Sequence, residues 1–359
     1  YGSSTLTSDL LRTIYTGGLI ENDLIDKNID ELNALNRAGY EYGLNVFYRN
    51  RLSGNFSIYT SIERRGISGT QFTDDLFELI FSGNSSLKGE TGEIGKTNFT
   101  SVSFDRINLG VYKSLELMRR EGLIWGGIGL IRGFGMTQIE IEDGNFYTSE
   151  NGDSIYASYR ASGHIVEPES KFMEAIPGLG LSAHAGVYIK GDIFEWSVSL
   201  NDIGFISWNE TTEYYELDTS LSFTGYDVLD STQEGSLFYR DELIREEGQE
   251  EYMQVLPFNV NINSIYHLNI NSSITANVRY RFISGFLPEL QVGYRHSLKN
   301  RIYLNISGVG GGFGRFGIMA GLEYRSRNLW LSLNSGKGLT TFSTDPVPQL
   351  LHAHACIFF

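Results

Sequence analysis

Two arginines, Arg279 and Arg281, stand two positions apart in the stretch Asn271 to Phe282, and Ile274, Ala276, Val278, Tyr280 and Phe282 take the alternate positions. A spacing of two puts side chains on one face of an extended strand, so this segment has a cationic face and an apolar one. Charged residues recur on the polar faces of other alternating segments: Glu41, Arg49, Glu63, Glu195, Arg295, Arg315 and Glu323. Guanidinium and carboxylate groups that project into one enclosed space form charge-assisted bonds, often bidentate. A set of both signs cross-links an interior, whereas an ion-selective pore needs a lining of one sign.

Other candidate chemistry is weaker. His352 and His354 share a strand face roughly 7 Å apart, a spacing that suits a metal or a hydrogen-bond network, but no third ligand is evident and we assign no metal. Gly89 to Thr97 imitates a phosphate-binding loop, yet Glu90 stands where the spacing requires glycine. Gly312, Gly314 and Gly317 match the dinucleotide fingerprint by letter, with strands rather than a helix around them, and read as a hairpin turn. The acidic run Glu140, Glu142, Asp143, Glu150 and Asp153 lacks the regular ligand spacing of a calcium loop and reads as solvated surface. No Ser, His and acid set is suggestive. The expectation is a non-enzymatic chain with no catalytic residues and no cofactor.

The elements that position these residues are strands. From Gly39 the alternation locks in: Tyr40, Tyr42, Leu44, Val46 and Tyr48 oppose Glu41, Gly43, Asn45 and Arg49, and Phe56, Ile58, Thr60 and Ile62 follow after a turn. Further strands are expected at about 98–113, 122–141, 177–190, 193–206, 254–267, 271–283, 287–297, 301–310, 314–325, 328–335 and 351–359. Their connections fall into short turns and long insertions, the latter at 67–97, 142–176, 207–253 and 336–350. Within the first, Thr73-Asp74-Asp75 predicts a capped helix through Phe81. Residues 144–160 and 211–224 also alternate and are expected as extracellular hairpins. Residues 1–38 form a plug or cap, with an amphipathic helix across 20–37. A further strand is placed in 9–20, because single-chain bacterial barrels have even strand numbers.

Composition agrees: 41 Gly, 22 Phe and 21 Tyr against 6 Pro and one Cys suit many strands, tight turns and aromatic girdles. Cys356 alone excludes an internal disulfide framework. A net charge of -15 argues against a nucleic-acid partner and fits a surface that meets divalent cations. No apolar run reaches the roughly 20 residues of a spanning helix, so a membrane location requires a closed barrel. The fold class is therefore all-β: a transmembrane antiparallel β-barrel of about 14 strands, with roughly 12 to 16 as bounds, comprising 39–359. Sorting of short turns from long loops implies periplasmic turns and extracellular insertions. The start at Tyr1 reads as a processed chain whose signal peptide has been removed.

Three segments carry a resemblance: Asp74 to Asn84, Ile107 to Leu115, and Leu200 to Trp208 (Leu-Asn-Asp-Ile-Gly-Phe-Ile-Ser-Trp), continued by Leu329 to Gly338. The chain resembles outer-membrane β-barrel proteins of Bacteroidota, near the FadL-like transporters and the PorP/SprF and PorV barrels associated with type IX secretion and gliding. The terminal strand ending on Phe358-Phe359 similarly resembles the targeting strand read by the barrel-assembly machinery. At the N-terminus the chain departs from such proteins, which have a fuller first strand. The resemblance implies a bacterial outer-membrane location, with outer-membrane lipid, lipopolysaccharide and cell-envelope proteins as partners. It also implies either an accessory barrel of an envelope assembly or a FadL-like channel for a hydrophobic or small solute.

Overall fold

A computed structural model of the chain describes residues 2–52, 54–167, 176–224, 246–298, 301–326, 329–338 and 350–357. It is all-β apart from short helices. The N-terminal part holds β1 (Gly2–Ser3), α1 (Ser8–Thr16), α2 (Asn22–Ile29), β2 (Leu35–Arg51), β3 (Phe56–Thr73) and α3 (Asp74–Phe81). Then come β4 (Thr91–Glu93), β5 (Thr97–Leu117), β6 (Arg120–Thr148), β7 (Ser154–Val166), β8 (Gly178–Ile189) and β9 (Phe194–Thr224). After β10 (Glu246–Val255) and β11 (Asn259–Asn269), the chain continues through β12 (Ser272–Arg281), β13 (Leu287–Leu298) and β14 (Ile302–Gly312). It ends with β15 (Gly317–Arg325), β16 (Leu329–Gly338) and β17 (Leu350–Ile357).

These strands belong to one antiparallel sheet. Several are segments of a single interrupted wall strand. Along β6, β4 continues the line of β5 and β7 continues that of β8; along β9, β10 continues that of β11. Counted that way, the described residues supply thirteen wall positions, from β2 round to β17. The two-residue β1 pairs the edge of β2 opposite β3 and marks a fourteenth.

The expected strand across 9–20 does not form; that segment is α1. Thr7 accepts a hydrogen bond from Leu10 N, and Gly17 closes the helix in the left-handed conformation. Leu10, Ile14 and their neighbours then make a helical stripe that outweighs the β-propensity of Thr and Tyr. The expected helix across 20–37 is shorter, because β2 begins at Leu35. The insertions are also more regular than loops. β3 runs on to Thr73, β6 and β7 pair above the wall, and β9 extends to Thr224 with β7 and β10 beside it. Backbone groups that leave the wall keep ladder partners in this sheet extension. In the helix after Thr73, the threonine hydroxyl accepts from Leu76 N as the sequence predicts.

The outward face carries the apolar residues. Leu44, Ile62, Ile128 and Leu130 are between 62% and 70% exposed, and Leu109, Ile203, Leu304 and Leu333 extend the belt around the wall. A contiguous apolar belt of this size has a hydrocarbon environment, not water. No described helix is long and apolar enough to cross a membrane. The chain crosses as a β-barrel, with strands.

Inside, the lumen is layered. Towards the long-loop end Ile67, Val102, Phe104, Ile131, Ile206, Trp208 and Leu256 pack into an apolar core. The turns after β12 and β14 fold inward there. Phe313 lies where a Cβ on Gly39 would stand, and Phe286 meets its ring edge-on at 5.1 Å. A second core at this end joins Leu10 and Ile25 to Phe77 of α3, flanked by Phe72 and Phe81. Residues 2–34 thus pack at the long-loop end. They are tied down by Thr5 Oγ1 donating to Asn36 Oδ1 at 2.9 Å, by Arg315 donating to Ser4 O, and by an Arg315–Glu31 ion pair of 3.1 Å.

Candidate functional site in the lumen

The charged faces of β2, β3, β5, β9, β12 and β13 converge in mid-lumen. Strand alternation alone delivers Glu41, Glu63, Arg65, Arg106, Arg279 and Arg281, because each is flanked by outward residues such as Ile62, Ile107 and Val278. Asp202 arrives differently. The β8–β9 register shifts between Ala183 and Ala185, and Asp202 takes φ of 64°. Asn201 and Asp202 consequently both turn inward, and the outward apolar residues change parity from Leu200 to Ile203 and Phe205.

The resulting network is dense. Asp202, 1% exposed, accepts from Arg106 Nη1 at 2.7 Å, Arg65 Nη1 at 2.9 Å, Asn259 Nδ2 at 2.9 Å and Arg281 Nη1 at 3.4 Å. Glu41 accepts from Arg65, from Arg281 Nη2 at 3.2 Å and from Arg279 Nη1 at 3.4 Å. Glu63 holds Arg106 through Nη2 at 2.5 Å and Nε at 3.1 Å. Glu289 grips Arg279 with two bonds of 3.1 and 3.2 Å. Four guanidinium groups therefore face four carboxylates, a layer without spare charge. Asp202, Arg281 and Arg106 have lost nearly all their water and are compensated by their neighbours, so removing one of them leaves another uncovered. Arg281 also donates to Pro257 O at 2.9 Å, where the chain bends from β10 into β11.

The other anticipated lumen residues form satellites nearer the short turns. Glu195 accepts from Tyr188 at 2.5 Å and lies 2.9 Å from His267 Nε2. Glu323 pairs with Arg295 at 3.0 Å and with Arg325. Arg49 donates to Ser57 Oγ at 3.1 Å, its guanidinium 4.7 Å from the Tyr112 ring centre. Arg315 is not in the wall interior; it lies in the β14–β15 connection and anchors the N-terminal cap. His352 and His354 stand opposite Asn334 and Ser332 in the β16–β17 ladder, and their side chains lie outside the described residues.

Arg65, Arg106, Asp202 and Glu289 escape the sequence reading. Signals for three of them exist: Ser61, Glu63, Arg65 and Ile67 continue one alternation past the expected end of β3, Arg106 shares parity with Asn108, and the apolar residues of β9 swap parity at Asn201–Asp202.

On the short-turn side of the charge layer the lumen opens into a cavity of about 390 Å³. Phe47, Tyr59, Tyr112, Trp125 and His184 line one side, Asn201, Asn259 and Asn261 another, and Glu63, Arg65, Arg106, Asp202, Arg279 and Arg281 of the charge layer also face it. Tyr59 lies flat against the wall, its ring occupying the place a Cβ on Gly110 would take, and bonds His184.

None of the curated proteins matches this chain in sequence. Among solved structures it is similar to Fiu, the ferric-catecholate import receptor of E. coli K12, at 9% identity over 99% of this chain and 51% of that one, TM-score 0.34. The chain thus spans about half the length of Fiu. It is similar also to a deltaS2S3 mutant of TodX, a monoaromatic hydrocarbon channel, at 10% identity over 94% and 92% of the two chains, TM-score 0.40. The siderophore receptor PirA of Pseudomonas aeruginosa gives 9% identity over 91% and 75%, TM-score 0.24. Such distant likenesses carry no functional weight. At the level of sequence, residues 2–334 match one family throughout, and the chain belongs to that family of unknown function, DUF5723.

Proposed function

We propose that the chain is an outer-membrane β-barrel that serves as a non-enzymatic accessory or scaffold component of a cell-envelope assembly, of the type IX secretion or gliding kind. It stands in outer-membrane lipid and lipopolysaccharide, and its sheet extension and α3 meet protein partners outside the membrane. The observation that supports this reading is the filled lumen: matched charges at mid-height, an apolar core above them and a folded cap beside that core. A lumen built to pass solute has no use for four carboxylates locked to four arginines, because transport would require those pairs to part.

The 390 Å³ cavity favours a second reading, a FadL-like channel for a hydrophobic or small solute. Affinity purification of the tagged chain from the outer membrane of its native host separates the two. The accessory role expects envelope proteins in fixed stoichiometry with the barrel. Recovery of the barrel alone, together with loss of uptake of a small solute on deleting it, supports the channel instead.

A further inference from the structure

The aromatic and amide sides of the short-turn cavity play no part in the accessory role, and they are specific. We infer that it is a binding site for a small neutral saccharide. The aromatic wall is a curved strip: Phe47 and Tyr59 lie 5.8 Å apart and tilted by 38°, Tyr59 and Tyr112 4.9 Å and 51°, Tyr112 and Trp125 6.3 Å and 32°. A run of aromatic rings on one side of the cavity suits the C–H face of a pyranose. A planar heterocycle is better held between parallel rings, and the opposite wall has none.

That opposite wall is amide. Asn201 donates to Asn259 Oδ1 at 3.2 Å and Asn261 to the same oxygen at 2.6 Å, so a linked row presents both donors and acceptors to hydroxyl groups. Asn108, which also lines the cavity, donates to Ser61 Oγ at 3.0 Å. The arginines at the inner end are each paired with carboxylate, so no spare cation selects an anionic ligand. The volume is at the small end for ligand sites.

The test is isothermal titration of the full chain, folded in detergent, with glucose, maltose and glucuronate. Saturable binding of glucose or maltose is expected, with glucuronate no tighter. Trp125→Ala and Asn261→Ala should each weaken binding about tenfold or more, while the outward Val278→Ala leaves it intact. Heat-modifiable gel mobility certifies that each variant has folded, and Tyr112→Leu replaces Trp125→Ala if that variant has not. Absence of saturable heat with both neutral sugars overturns the inference. So does tighter binding of glucuronate, or undiminished binding by the folded aromatic variant.

Discussion

Asp202 and Arg65 meet at 2.9 Å although 137 residues separate them in the chain. Their contact spans the lumen between β9 and β3, and it exists because a bulge turns Asp202 inward against the ordinary alternation. Asp202→Asn keeps a residue that tolerates the left-handed backbone but withdraws the charge from Arg65, Arg106 and Arg281. We expect a loss of about 3 to 5 kcal/mol in folding stability, read by urea unfolding in lipid vesicles. Pairing the change with Arg65→Met should recover part of that loss; strict additivity of the two would show that the contact is not energetically coupled.

The facing of β12 and β14 gives a second expectation. Val278 and Leu304 point outward, whereas Asn277 and Asn305 point inward. Arginine at either apolar site should cost about 2 to 4 kcal/mol, and arginine at either asparagine should be tolerated. Equal effects at both pairs in the same folding assay would reverse the assigned faces.

Topology is open to labelling. In a background lacking Cys356, cysteines at Glu90 and Asp153, both exposed beyond the wall, should react with a membrane-impermeant maleimide on intact cells. Cysteine at Asn269, the last residue of β11, or at Met118, in the β5–β6 turn, should not. Labelling of the short turns from outside would turn the barrel over.

Much of this architecture is written in the alternation. Val278 between Asn277 and Arg279 announces both faces of β12, and Thr73 followed by two aspartates announces α3. Alternation fails where the chain breaks its own period. Asp202 hides because a bulged strand places two consecutive residues inward, and the parity change from Leu200 to Ile203 is visible only to someone expecting a bulge. Helix α1 hides because Thr13, Ile14 and Tyr15 favour strands locally, and the capping Thr7 and Gly17 carry the contrary signal. Which charges pair is a matter of barrel curvature: β2 lies far from β12 along the sheet, so no local rule brings Glu41 to Arg281.

The cap is separable from the obstruction. Removing residues 1–30 takes Leu10 and Ile25 from Phe77 and should lower thermal stability and increase protease sensitivity around α3. It leaves the network of Glu41, Arg65, Asp202 and Arg281 in place, so it should not open a pore. Steady current from the truncated, folded barrel would show instead that residues 1–30 are the plug.

Planar-bilayer recording on the intact chain reads the lumen most directly. With four arginines and four carboxylates bound to one another across mid-height and an apolar core at the long-loop end, the barrel should show little or no steady conductance. Robust, stable conductance from the intact chain would contradict a lumen closed by its own ion pairs.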